Sequence, residues 1–122
     1  MNPESNGRVV LVVEDEWLVR AEIASALRDA GWQVFEADSG EAAIALAESC
    51  DNLGVVFTDI QLHGYHNGWD VAEAVRVAHP VAGVIYASGN APDRARSVED
   101  SRFFDKPYRV AEILTACEEL LY

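Results

Sequence analysis

Five side chains able to do chemistry follow directly on short apolar runs: Glu14 and Asp15 after VVLVV, Asp59 after VVFT, Ser88 after VIYA, and Lys106 (with Pro107) after FFD. Carboxylates held close together repel, and each raises the proton affinity of the others. A hard divalent cation relieves that repulsion because it takes oxygen ligands, and Mg²⁺ keeps several waters that phosphate oxygens can replace. One of the carboxylates can then act as a nucleophile and form an acyl phosphate. Such a transfer needs positioning and charge neutralisation above all, which a metal, an ammonium and a hydroxyl can supply. Lys106 is a compact charge with three donors, and Ser88 is a short hydroxyl donor. Singly, each of these residues is also an ordinary helix cap, turn residue or strand exit. Their joint meaning depends on whether the chain brings them to one place.

The elements that must do so are legible. Arg8–Val13 is nearly continuous apolar and β-branched, the pattern of a strand covered on both faces. Glu16–Ala30 reads as a helix with Leu18, Ala21, Ala24 and Leu27 three apart and Gly31 as the stop. Trp32–Ala37 is a second strand. Asp38 or Ser39 can cap a second helix with Ala42, Leu46 and Cys50 at intervals of four. Leu53–Thr58 is the third strand. A loop with Gly64, His63, His66 and Asn67 leads into helix Gly68–Ala78, with Val71, Ala74, Val75 and Ala78 on one face. Val81–Ala87 is the fourth strand. Asn90–Asp100 has only Ala95 and Val98 to bury, and Pro92 can start a helix but not sit within one. This fourth helix is therefore expected to be short or irregular, and mobile until phosphorylation and a partner order it. Ser101–Asp105 is the fifth strand and Tyr108–Leu121 the last helix, with Val110, Ile113, Leu114, Cys117, Leu120 and Leu121 in one stripe. Strands alternating with helices imply a parallel sheet with helices on both faces. In such folds ligands bind beyond the carboxyl ends of the strands, which is where the reactive residues fall.

The segments VLVVEDE (Val10–Glu16), VVFTDIQL (Val55–Leu62), VIYASGN (Val84–Asn90) and FFDKPY (Phe103–Tyr108) resemble, in order and spacing, the receiver domain of bacterial two-component response regulators. The resemblance covers essentially the whole chain. It implies a flavodoxin-like sheet of five parallel strands in the order 2-1-3-4-5, and one receiver domain over residues 1–122 with residues 1–7 a flexible segment. It makes Asp59 the phospho-acceptor, Lys106 the lysine that contacts phosphate, and Ser88 the switch hydroxyl. Mg²⁺ or Mn²⁺ would be held by Asp15, Asp59 and the backbone carbonyl of Gln61, with Glu14 acting through water. Phe103 matches an aromatic that turns inward on activation, and Gln61 and Asn90 match positions that tune phosphoryl lifetime. The implied partners are a histidine kinase or phosphotransfer protein, and a downstream target on the face made by the fourth helix, fifth strand and fifth helix; self-association into a homodimer is left open. The chain departs from the usual pattern in four places. The first acid is Glu14 rather than Asp, and Leu62-His63-Gly64 stands where Leu-Pro-Gly is usual, in a loop one residue longer. Phe103 lacks the hydroxyl of a tyrosine, and the stretch 89–105 is short for a helix and a strand.

The chain has 122 residues, 50% of them hydrophobic, enough for one domain with a core. Its formal charge of −12 opposes direct nucleic-acid binding. No apolar run or signal-type segment points to a membrane, and a cytoplasmic protein is expected. Cys50 and Cys117 are expected to be reduced thiols on apolar helix positions. His63 and His66 read as polar loop residues rather than metal ligands, His79 as a helix end, and Trp17, Trp32 and Trp69 as core or half-buried aromatics. Two rivals remain: a haloacid-dehalogenase-type phosphatase using Asp59, opposed because Asp59 follows the third strand rather than the first and position 61 is Gln, and a degenerate receiver that only binds protein, opposed by the complete set Asp59, Asp15, Ser88 and Lys106.

Overall fold

The computed structural model describes residues 7–90 and 94–121. Six of the seven residues expected to form a flexible N-terminal segment, and the expected helix start at Pro92, lie outside them. Five parallel strands, β1 (Val9–Val13), β2 (Gln33–Ala37), β3 (Val55–Asp59), β4 (Gly83–Ser88) and β5 (Ser101–Asp105), form one sheet in the order β2-β1-β3-β4-β5. This is the expected flavodoxin-like order.

Strand alternation divides the core into two layers. On one side, Val10, Val12, Val55, Phe57, Ile85 and Ala87 meet Ile23 and Leu27 of α1 (Trp17–Asp29) and Ile113 and Cys117 of α4 (Val110–Glu119). On the other, Leu11, Val56, Val84 and Tyr86 meet Ala43 and Ala47 of α2 (Gly40–Ser49) and Trp69, Val71 and Val75 of α3 (Gly68–Ala78). All five residues of β1 are buried, which accounts for its unbroken apolar run.

Several details differ from the sequence pattern. In α1, Ile23, Ala24 and Leu27 are buried, whereas Ala21 is exposed and Leu18 is 66% exposed. A spacing of three drifts around a helix of 3.6 residues per turn, so the earlier members of that series leave the buried face. Trp17 is 67% exposed, contrary to the expected core or half-buried site, because it opens α1 at the rim of the sheet. Ala78 is likewise exposed at the end of α3, and β4 begins at Gly83 with Val81 fully outside it.

The expected fourth helix is a single 3₁₀ turn, Arg94–Arg96, with Ala95 exposed and Ser97 and Val98 half-buried. Arginines replace the missing apolar packing. Arg96 Nη2 pairs with Asp70 Oδ1 and Glu73 Oε2, each at 3.1 Å, tying the turn to α3. Arg94 Nη2 pairs with Asp105 Oδ1 at 2.7 Å, tying it to β5. Arg76 donates to the carbonyls of Ala82 (2.8 Å), Glu99 (2.6 Å) and Asp100 (3.3 Å). The Val98 N–H donates to the buried Tyr86 hydroxyl at 3.1 Å. The short segment is therefore fastened at both ends of its described part.

Candidate functional site

The carboxyl ends of β1, β3, β4 and β5 bring the predicted residues to one rim. Glu14 follows β1, and its N–H donates to Ala37 O at 3.1 Å, so the strand ladder fixes its backbone. Its side chain is only 1% exposed. Oε2 accepts from the Glu16 N–H at 3.1 Å, while Oε1 is buried without a hydrogen-bond partner. Burial pushes the Glu14 carboxyl up to about 7; the Glu16 amide opposes this and the Asp59 charge adds to it. Lys106 Nζ stands 3.7 Å from Oε1, and that attraction does not outweigh the desolvation.

Asp15 lies beside it, half-buried. Its Oδ2 accepts from the His63 N–H at 3.2 Å, and His63 Nδ1 is 3.2 Å from the same oxygen. His63, expected as a plain loop residue, thus leans on Asp15 while its ring stays exposed. His66 Nδ1 lies 3.4 Å from Asp70 Oδ2.

Asp59 is the last residue of β3 and is 6% exposed. Its Oδ2 accepts from Lys106 Nζ at 2.9 Å and its Oδ1 from the Gln61 N–H at 3.3 Å. Burial works against the Lys106 ammonium, but the hydrogen bond and charge of Asp59 prevail and hold its pKa above the ordinary value. Lys106 reaches inward because its N–H pairs with Ser88 O at 2.9 Å, extending the β4–β5 ladder past its last residues. The Lys106-Pro107 peptide is cis. Ligand oxygens of Glu14, Asp15 and Asp59 lie within 4.8 Å of one another. Three converging carboxylates, one with a buried and unpartnered oxygen, fit a hard divalent cation.

Ser88 ends β4, buried, with its hydroxyl donating to Asn90 O at 2.9 Å and accepting the Asn90 N–H at 3.1 Å. That bond commits its proton to the loop and not to Asp59. Phe103 is half-buried against Tyr86 and Trp69, ring centroids 6.2 and 6.3 Å away.

Residues of the rim that the sequence did not single out are Thr58, whose hydroxyl donates to Asp59 O at 2.8 Å, and Arg94, which lies over the Phe103 ring. Gly68 was visible only as a helix start. A Cβ there would stand 2.3 Å from Asp59 O, so its missing side chain lets α3 abut the end of β3.

A doubly wound parallel sheet with its acids beyond the strand ends is a regulatory fold as well as an enzymatic one, and comparison with known proteins decides between them. The response regulator receiver domain family matches residues 10–118, and the chain belongs to that family, the receiver of two-component signalling. The family is regulatory and not a class of enzyme, which sets the phosphatase alternative aside. The transcriptional regulatory protein PdtaR of Mycobacterium tuberculosis is 30% identical over 115 residues, 91% of this chain and 55% of PdtaR. The chain thus spans about half the length of that relative. The two-component response regulator ORR11 of Oryza sativa is 34% identical over 85% of this chain and 74% of its own length. Among solved structures, a response regulator receiver protein from Sinorhizobium medicae superposes with a TM-score of 0.86 at 32% identity, covering 92% of each chain. TrrA of Thermotoga maritima, in complex with Mg²⁺ and BeF, superposes at 0.81 with 26% identity, covering 93% of this chain and 99% of that one. Among the described residues no helix is long and apolar enough to cross a membrane.

Proposed function

We propose that this chain is a phosphorylatable switch of a two-component phosphorelay. Asp59 accepts a phosphoryl group from a histidine kinase or a histidine phosphotransfer protein, and the phosphorylated form controls a partner protein. The observation that carries this is the pairing of a buried Asp59 with Lys106 Nζ at 2.9 Å, beside two further acids that share its rim. In the transfer, an Asp59 oxygen forms a bond to phosphorus while the bond from phosphorus to the donor imidazole nitrogen breaks, its electron pair returning to the ring. Water later cleaves the acyl phosphate and restores the carboxylate.

Lys106 holds Asp59 before transfer and has donors to spare for the phosphoryl oxygens afterwards. Asp15 and Asp59, the Gln61 carbonyl and Glu14 would hold a divalent cation, Mg²⁺ or Mn²⁺. When bound, that ion neutralises charge that builds up as the phosphoryl group approaches the acids. The binding of Mg²⁺ and BeF by TrrA supports this assignment. Ser88 turns its hydroxyl from Asn90 to the phosphoryl group, Phe103 packs inward without a polar anchor, and Gln61 and Asn90 set how long the acyl phosphate survives. The face with the Arg94–Arg96 turn, β5 and α4 meets the target.

Incubation with Mg²⁺ and acetyl phosphate is expected to add one acid-stable, base-labile phosphoryl group to the wild-type chain, seen by intact mass. Asp59→Asn is expected to fold and gain none. Stoichiometric labelling of that variant at another carboxylate would move the acceptor elsewhere.

A further inference from the structure

The Arg94 guanidinium carbon lies 3.9 Å from the Phe103 ring centroid, and the same side chain pairs with Asp105 at 2.7 Å. One arginine therefore covers the outer face of the aromatic ring and grips the end of β5. The inner side of that ring faces Tyr86 and Trp69. Where a full helix would bury Phe103, this chain uses a cation over the ring. We propose that Arg94, Phe103 and Asp105 form a latch that holds the receiver at rest, and that phosphorylation of Asp59 opens it.

The coupling follows from chain neighbours. Asp105, the latch acceptor, immediately precedes Lys106, whose ammonium holds Asp59 Oδ2. A phosphoryl group on Asp59 carries more negative charge than the carboxylate and extends beyond it, so the Lys106 ammonium is drawn outward with it, pulling on the chain beside Asp105. At the other end of the segment, the Ser88 hydroxyl bonds to Asn90 in both directions, and turning to the phosphoryl oxygens breaks those bonds. One event thus disturbs two points on either side of the stretch that bears Arg94, the end of β5 at Asp105 and the Ser88–Asn90 turn.

The latch is also weak enough to open. Arg94 and Asp105 are 54% and 78% exposed at their side chains, so water and salt screen the ion pair. An exposed cation–π contact and an exposed ion pair together bias the closed state by about 3- to 30-fold. Arg96, by contrast, stays bonded to Asp70 and Glu73 on α3, giving the turn an anchor about which Arg94 can swing.

The proposal rests on phosphorylation at Asp59, and linkage provides its test. Whatever holds the resting state opposes the phosphoryl group by the same factor. Beryllofluoride with Mg²⁺ is titrated into wild type, Arg94→Ala, Arg94→Lys and Asp105→Asn, each confirmed as folded by circular dichroism. Amide exchange of residues 94–99 is followed without ligand. Arg94→Ala is expected to bind beryllofluoride about 3- to 30-fold more tightly and to exchange faster over 94–99. Arg94→Lys and Asp105→Asn each lose part of the latch and are expected between it and wild type. Wild-type affinity and exchange in both Arg94→Ala and Asp105→Asn would overturn the latch alone. A wild-type chain that takes up neither beryllofluoride nor phosphate would overturn the phosphorylation reading, and the latch with it.

Discussion

As the proposed phospho-acceptor, Asp59 meets two opposed demands: the carboxylate must be held in place, yet remain free to attack phosphorus. The 2.9 Å bond from Lys106 meets the first with a flexible partner that can let go. Lys106→Ala leaves Asp59 buried beside Glu14 and Asp15 without its cation. A charged hydrogen bond of this kind contributes about 1.5–3 kcal/mol, so phosphoryl uptake from a small donor is expected to slow roughly 10- to 100-fold in that variant. The phosphorylated variant is also expected not to engage its partner, because the link from phosphate to β5 is gone. Uptake at the wild-type rate, followed by intact mass over time, would contradict this. The candidate site residues were legible because each directly ends or follows an apolar run. The role of Arg94 was not, since a cation over an aromatic ring leaves no periodic trace, and neither was the contact of His63 with Asp15, which depends on where two loops cross.

Among the elements, β5 and α3 were placed to the residue and β1 within one, while β3 and β4 begin two residues later than expected. Helix faces were less certain, because α1 and α2 are rich in alanine and the buried side is set by which small residues fit the sheet. The join between β3 and α3 shows how tightly the elements position the site. The Asn67 side chain accepts from the Asp70 N–H and Asp70 accepts from the Asn67 N–H, each at 3.0 Å, so α3 starts at a fixed point beside Asp59. Gly68→Ala would place a methyl 2.3 Å from Asp59 O and 2.8 Å from Ile60 Cα, both backbone positions that cannot swing aside. Withdrawal of α3 is expected to cost about 2 kcal/mol and to slow phosphoryl uptake by displacing Asp59. Gly89→Ala, whose nearest neighbour would be 4.0 Å away, serves as the control and is expected within about 0.5 kcal/mol of wild type. Equal denaturation midpoints and phosphorylation rates for the two variants would mean that α3 has room the geometry does not show.

For the whole molecule, the acid rim makes stability depend on pH and, under the proposed metal assignment, on a divalent cation as well. The sequence announced a site of repelling carboxylates, but not which of them bears the strain; burial shows it to be Glu14, 1% exposed and with one oxygen unpartnered. Its pKa rises from an ordinary 4.5 to about 7 in the folded, metal-free chain. Below 4.5 the group is protonated in both folded and unfolded chains and costs nothing. As pH rises toward 7 the unfolded chain releases this proton while the folded chain keeps it, so stability falls; above 7 both are ionised and the full cost remains. The gap corresponds to roughly 3 kcal/mol, or on the order of 10 °C in melting temperature for a domain of this size. Under the proposed metal assignment, a divalent cation would bind the ionised acids of the folded chain and offset the loss, most strongly at high pH. Melting temperature without metal is thus expected to fall between pH 4.5 and 8 more steeply for wild type than for Glu14→Gln, which carries no charge to bury. Added Mg²⁺ should raise the wild type at pH 8 more than the variant, which keeps Asp15 and Asp59 but has no buried charge for the ion to relieve. Parallel melting curves for the two proteins across that range, with equal responses to Mg²⁺, would show that Glu14 carries neither the strain nor the metal.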